Sequence, residues 1–266
     1  MESLDLFKKT EERPQSYIIG LIIGLILMTF VPSLVMIGLN GFIAINDPTN
    51  YPNLLDPTSE FYQLIMNEGS FFLQTVGYIL VSGVFVVIFY SILKEDLIEF
   101  ITHWKRHLLI ALISFVVMYG VTELTNYIFY VLELPLSSSN QDFIINALKS
   151  ETFIYVAISV VFLAPFVEEV IFRKLLFGAM ESNLKLPKIV VVIISTVIFS
   201  LIHLSSEITL VFSDISNFKY LVAFFLYAPL AFVLSFSYSY SKNNIFTVII
   251  VHMLNNLLSI ILILVL

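Results

Sequence analysis

Seven long apolar runs succeed one another along this chain, at residues 17–37, 71–93, 108–132, 152–180, 189–204, 218–240 and 245–266. Runs of this kind are long enough to cross a bilayer, and in hydrocarbon a spanning segment closes its backbone hydrogen bonds within itself as a helix. The expected fold is therefore all-α, a polytopic transmembrane helix bundle of about seven spans with short interfacial helices. Hydrophobic residues at 59% and charged ones at only 12% agree with that, since soluble chains carry about 25% charged residues. Residues 1–150 form an amino-terminal tail, three spans and interfacial segments, and residues 151–266 form a core of four spans.

Residues 1–16 carry Lys8, Lys9 and Arg13 and no apolar run. The run that follows has no small-residue cleavage pattern, so the first span reads as retained. Pro32 lies inside it and predicts a kink that neighbouring helices must compensate. Residues 46–70 are polar and proline-rich, without Lys or Arg. Residues 94–107 read as an interfacial segment, with Leu97, Ile98, Phe100, Ile101 and Trp104 toward the membrane and Glu95, Glu99 and Lys105 toward water. Residues 205–217 read as a loop. On this map Lys8, Lys9, Arg13, Lys94, Lys105, Arg106, Lys185, Lys188 and Lys242 fall on one side, against Lys149 and Lys219 on the other. Lys and Arg collect in cytoplasmic loops, so the amino terminus is expected inside. Richness in Ile, Phe, Asn and Ser with few Gly and Ala suits a low-GC bacterium, which makes the location a bacterial plasma membrane. The absence of cysteine excludes a thiol nucleophile, a thiolate metal site and disulfides. A net charge of -7 without a basic patch excludes a nucleic-acid partner.

Inside the fourth run stand two adjacent carboxylates and an arginine: Ala164-Pro165-Phe166-Val167-Glu168-Glu169-Val170-Ile171-Phe172-Arg173. Charges at the bilayer centre cost about 2.5–3.5 kcal/mol even on lenient scales, so they face a partner or a water-filled cavity. Glu169 and Arg173, four apart, share a helix face, while Glu168 is turned by about 100°. One carboxylate can be paired while its neighbour stays free for chemistry. The fifth run adds Phe199-Ser200-Leu201-Ile202-His203, and the seventh His252-Met253-Leu254-Asn255-Asn256. At about 1.5 Å per residue, Glu168 lies ~18 Å, His203 ~21 Å and Asn256 ~17 Å from the inner ends of their spans, with His252 one turn below. A lone histidine in an apolar helix is more often a satisfied core residue than a catalyst, but polar groups converging from facing helices build a site. His252 and Asn256 share a face and form a pair of neutral donors suited to an oxyanion. A buried glutamate joined to a histidine through water suits a general base.

Glu-Glu-x-x-x-Arg, Phe-x-x-x-His and His-x-x-x-Asn, in this order on three spans, resemble the CPBP (Abi) family of intramembrane peptidases. That family includes type II CAAX prenyl proteases and bacteriocin-processing or self-immunity proteins. The resemblance covers residues 152–266 and implies that Glu168 and His203 activate water, His252 and Asn256 stabilise the oxyanion, and Glu169 with Arg173 orients the site. Lys174 departs from the glycine usual after the arginine. Partners implied are membrane lipid and a peptide or protein substrate, either a peptide precursor or a CAAX-like carboxyl terminus.

Glu168 or Glu169 with His203 and His252 could supply three ligands to a catalytic zinc or another divalent metal, leaving a position for water. That reading and direct glutamate catalysis both stay open. Glu123, inside the third run, either lines the cavity or relays a proton, or is a structural carboxyl that is buried, protonated or hydrogen-bonded. Ser205 and Ser206 beside His203 lack an oriented acid partner for serine hydrolysis. The competing function is non-enzymatic: an immunity or scaffold protein, or a small proton-coupled transporter using Glu123 and Glu168.

Overall fold

The computed structural model of the chain describes residues 15–56, 58–64 and 70–265, and among them there is helix but no strand. Lys8, Lys9 and Arg13, expected on the cytoplasmic side, lie outside the described residues. Among the described residues six helices are long and apolar enough to cross a membrane, or seven if one bent pair counts as a span. The expected all-α polytopic bundle is the observed one.

Helix α1 (Gln15–Asn46) continues well past residue 37, because no charge or proline interrupts the chain until Asp47-Pro48. The residue before a proline is disfavoured in helical geometry, so the helix ends there. Pro32 remains inside α1, seated on Gly77 of α2 (Ser70–Ile88), where an added Cβ would lie 3.2 Å from the Pro32 Cα. Helix α3 (Tyr90–Thr102) and the third span, α4 (Trp104–Val131), follow breaks at Phe89 and His103. The second span thus stops at Ile88 and not at residue 93, and Trp104 to His107 belong to the third span and not to the interfacial segment. Leu97, Ile98, Ile101 and Trp104 are exposed, as an interfacial face requires, whereas Phe100 stacks on the buried His107 with ring centroids 5.4 Å apart.

After α5 (Ser139–Leu148), capped by the Ser138 hydroxyl accepting from the Gln141 N–H, the fourth span α6 (Phe153–Asn183) mixes α and π turns. Its π stretches are Ser159–Leu163, Val170–Leu175 and Ala179–Asn183. π turns inside a helix widen it locally and recur at functional sites. Two of them receive outside donors: Ser195 Oγ donates to Phe172 O (3.3 Å) and Asn256 Nδ2 to Val160 O (2.8 Å). Pro165, unable to donate to the turn before it, stands just after the first π stretch.

Helix α7 (Lys188–Ile202) is joined through His203 and Leu204 to α8 (Ser205–Ser213) at a bend of 68°. The expected loop at 205–217 is therefore largely helical. Its serines precede Glu207 in the first turn, an acid where the helix dipole favours one, and Leu204 is fully buried at the bend. A 3-10 segment, Ile215–Ala223, leads into α9 (Phe224–Tyr240), and α10 (Ile245–Val265) completes the bundle. The core centres on α6, whose Val167, Val170, Ile171, Leu175 and Phe177 have no exposure.

The contact of α1 with α6 depends on a missing side chain. Tyr17 lies across Gly178, and a Cβ there would overlap its ring. Gly178→Ala is expected to displace Tyr17 and destabilise the protein by about 1–3 kcal/mol, read as a lowered thermal midpoint of the purified protein.

Candidate active site

Glu168 and Glu169 are adjacent on α6 and point in different directions, with different surroundings. Glu169 and Arg173 are both completely buried, with Glu169 Oε2 and Arg173 Nε 3.2 Å apart. The two atoms are off the hydrogen-bond line, so the pair is a charge contact rather than an aligned hydrogen bond. The guanidinium carbon lies 4.5 Å from the centre of the Phe199 ring, and Nη2 reaches Ala231 O at 3.5 Å. The other oxygen of Glu169 accepts from His252 Nδ1 at 2.8 Å. Arg173, Glu169 and His252 thus form a chain that fixes the imidazole from behind.

Glu168 faces instead into a cavity of about 260 Å³ lined also by His203, His252, Asn255, Asn256 and Tyr227. Glu168 Oε2 is 4.0 Å from His203 Nε2 and 4.0 Å from His252 Nε2. The hydrogen bonds behind the two rings fix what these nitrogens present. His203 Nδ1 lies 2.9 Å from the Phe199 carbonyl, which can only accept, so the Nδ1 carries hydrogen and a neutral ring offers a lone pair at Nε2. The carboxylate of Glu169 imposes the same tautomer on His252. One carboxylate and two imidazole lone pairs therefore converge on a gap that a water molecule, about 2.8 Å from its partners, can bridge by donating to two of the three.

His252, expected one turn below the site, stands level with Glu168, and Asn256 is the residue displaced, its amide engaged with Val160 O. His252 is also not a neutral donor toward the cavity, because its N–H in the neutral ring points at Glu169; donation from Nε2 requires the imidazolium. Phe199 has a role that its place in a motif does not reveal: its ring packs on Arg173 and on His203, with ring centroids 4.4 Å apart in the latter contact. Tyr227 covers His203 from the other side at 5.0 Å and hydrogen-bonds Ser138. The Phe-x-x-x-His spacing carried the signal for Phe199, but none marked Tyr227. Glu123 is exposed on α4 and does not line the cavity, so neither its cavity reading nor its buried-carboxyl reading holds.

Lys174 ties the site to the interfacial helix. Its Nζ lies 2.7 and 2.8 Å from the two carboxylate oxygens of Asp96 on α3, and Asp96 Oδ2 accepts the Ile245 N–H that opens α10. The helix carrying His252 is thereby held to α6 at two levels, at Ile245 and at His252.

The residues do not fit a zinc ion as placed. Bonds of about 2.0–2.1 Å in a tetrahedral site put ligand atoms about 3.3 Å apart, closer than these groups stand. Among the described residues no group of three His, Cys, Asp or Glu side chains has metal-holding geometry.

Residues 150–258 match the family model described as Type II CAAX prenyl endopeptidase Rce1-like. This part of the chain is thus similar to the CPBP/CAAX protease-like family, the same one that its motifs resemble. Glu168, Glu169, Arg173, His203, His252 and Asn256 all fall within the Rce1-like stretch. An uncharacterized protein of Mycoplasma capricolum subsp. capricolum is 27% identical over 215 residues, covering 77% of this chain and 56% of that relative. The chain thus spans little more than half the length of the curated relative it matches. No solved structure matches the chain.

Proposed function

We propose that the protein is an integral membrane endopeptidase that hydrolyses a peptide bond within its intramembrane cavity. The observation that carries this reading is Glu168 Oε2 standing 4.0 Å from the Nε2 atoms of both His203 and His252, in a cavity wall within an Rce1-like segment. A water placed between them donates its hydrogens to Glu168 and His203 and turns its lone pair toward the scissile carbonyl carbon. As the C–O bond forms, Glu168 takes one water proton. The oxyanion that develops is met by Nε2–H of a protonated His252, backed by the Glu169 carboxylate, and by the one amide hydrogen of Asn256 that Val160 O does not take. Collapse breaks the C–N bond, and Glu168 returns the proton to the leaving amine. Substrates of this class are peptide precursors, bacteriocin-like peptides in a self-immunity role, or CAAX-like carboxyl termini.

The test is a mixed peptide library offered to purified protein in detergent, with products read by mass spectrometry. Cleavage is expected from the wild type and not from Glu168→Ala or His203→Ala. Hydrolysis is expected to survive a strong chelator; loss in chelator with recovery on adding zinc would replace this mechanism with a metal-dependent one. Equal behaviour of wild type and both variants would return the protein to a binding or immunity role.

A further inference from the structure

We infer that the cavity takes its substrate from the extracytoplasmic side, so that the substrate is an extended peptide segment presented at the outer leaflet. The cavity belongs to one end of the bundle. Phe71 and Gln74 near the start of α2, Val156 near the start of α6 and Ile263 near the end of α10 line its outer part, while Glu168 and His252 stand at its floor. Helix α5 lies over the same end and contributes Asn140 and Gln141.

Beyond the floor the bundle is closed. Ile171, Leu175, Glu169 and Arg173 have no exposure, and the Asp96–Lys174 pair seals the next level. The basic residues lie past that seal: Lys94 on α3, Lys105 and Arg106 at the start of α4, Lys185 and Lys188 between α6 and α7, and Lys242 between α9 and α10. The cavity's end carries two lysines in the sequence, Lys149 and Lys219, against six basic residues at the other end, and Lys149 stands among acids, with Asp142 and Glu151 near it in the chain and Glu207 accepting from the Ser139 N–H at the start of α5. Because Lys and Arg mark the cytoplasmic side, the mouth faces outward.

The lining fits a peptide main chain. Gln74, Asn140, Gln141 and Asn255 intersperse amide donors and acceptors among apolar side chains, as the alternating N–H and C=O groups of an extended chain require. The substrate class, unlike the access side, rests on the hydrolase reading proposed above.

The chain has no cysteine, so single introduced thiols report position without background. Gln141→Cys marks the mouth and Lys188→Cys the basic end; both native residues are exposed. In intact cells a membrane-impermeant maleimide is expected to label Gln141→Cys, and Lys188→Cys only after permeabilisation. Labelling of Gln141→Cys only after permeabilisation would overturn the access side. In parallel, one reporter peptide is displayed either on the outer surface or in the cytoplasm, and only the outer one is expected to be cut. Outward labelling with no cleavage of either reporter would sink the hydrolase reading and the substrate class while leaving the access side standing; cleavage of the cytoplasmic reporter alone would overturn the inference.

Discussion

Glu168→Gln is expected to reduce turnover by about 10²–10⁴-fold, the range a positioned general base supplies, with little change in KM. Glutamine keeps the size of the side chain and its place in the cavity wall but cannot take a proton from water. The substitution is also expected to leave stability unchanged or to raise it. Glu168 has its own side chain only 11% exposed and no ion pair shorter than 4.0 Å, so removing its charge relieves a desolvation cost and breaks no close contact. A residue whose loss costs activity while stability holds or rises is one retained for chemistry. His203→Ala should act on the same water, so the double variant is expected to lose scarcely more than either single one, as residues acting as a unit do. The measurement is kcat and KM on a peptide identified from the library, beside a thermal midpoint in detergent. Wild-type turnover in Glu168→Gln would end the assignment of that residue as the base.

The bundle was legible in the sequence because hydrocarbon forces apolar runs into helices, and because seven such runs leave little freedom in how the chain crosses. The grouping of Glu168, Glu169, Arg173, His203, His252 and Asn256 was legible for a related reason: charges and imidazoles are expensive in an apolar run and therefore conspicuous. What escaped lay where backbone geometry departs from ideal helix. An ideal rise of about 1.5 Å per residue puts Asn256 level with Glu168, but the π turns of α6 alter that rise and turn, and His252 rather than Asn256 reaches that level. The bend at His203 and Leu204 was invisible because Ser205 and Ser206 suit a loop as well as the start of a helix. The tautomer of His252 depends on a contact with Glu169 across 83 positions of sequence, which no local pattern encodes.

Arg173→Met is expected to cost about 3–5 kcal/mol of stability, the largest loss among the changes considered, because it strands Glu169 as an uncompensated charge with no exposure. The double variant Glu169→Gln/Arg173→Met separates that cost from the role of the pair. With both charges gone, neutral groups of similar size fill the same space, and most of the lost stability should return, since buried ion pairs replaced together are often close to neutral. The amide oxygen that Glu169→Gln introduces can still accept from His252 Nδ1, so the ring keeps its position and tautomer. What the double variant lacks is the carboxylate behind His252, the counter-charge to the cationic donor that the proposed mechanism turns toward the oxyanion. Its turnover is therefore expected to stay low although its thermal midpoint recovers. A double variant that regained both would make the pair purely structural. An Arg173→Met protein within about 0.5 kcal/mol of the wild type, the spread of ordinary surface changes, would mean that the buried charge contact does not exist in the folded protein. The pairing of Glu169 with both Arg173 and His252 is thus testable as two functions of one side chain: stability through the guanidinium, and turnover through the imidazole.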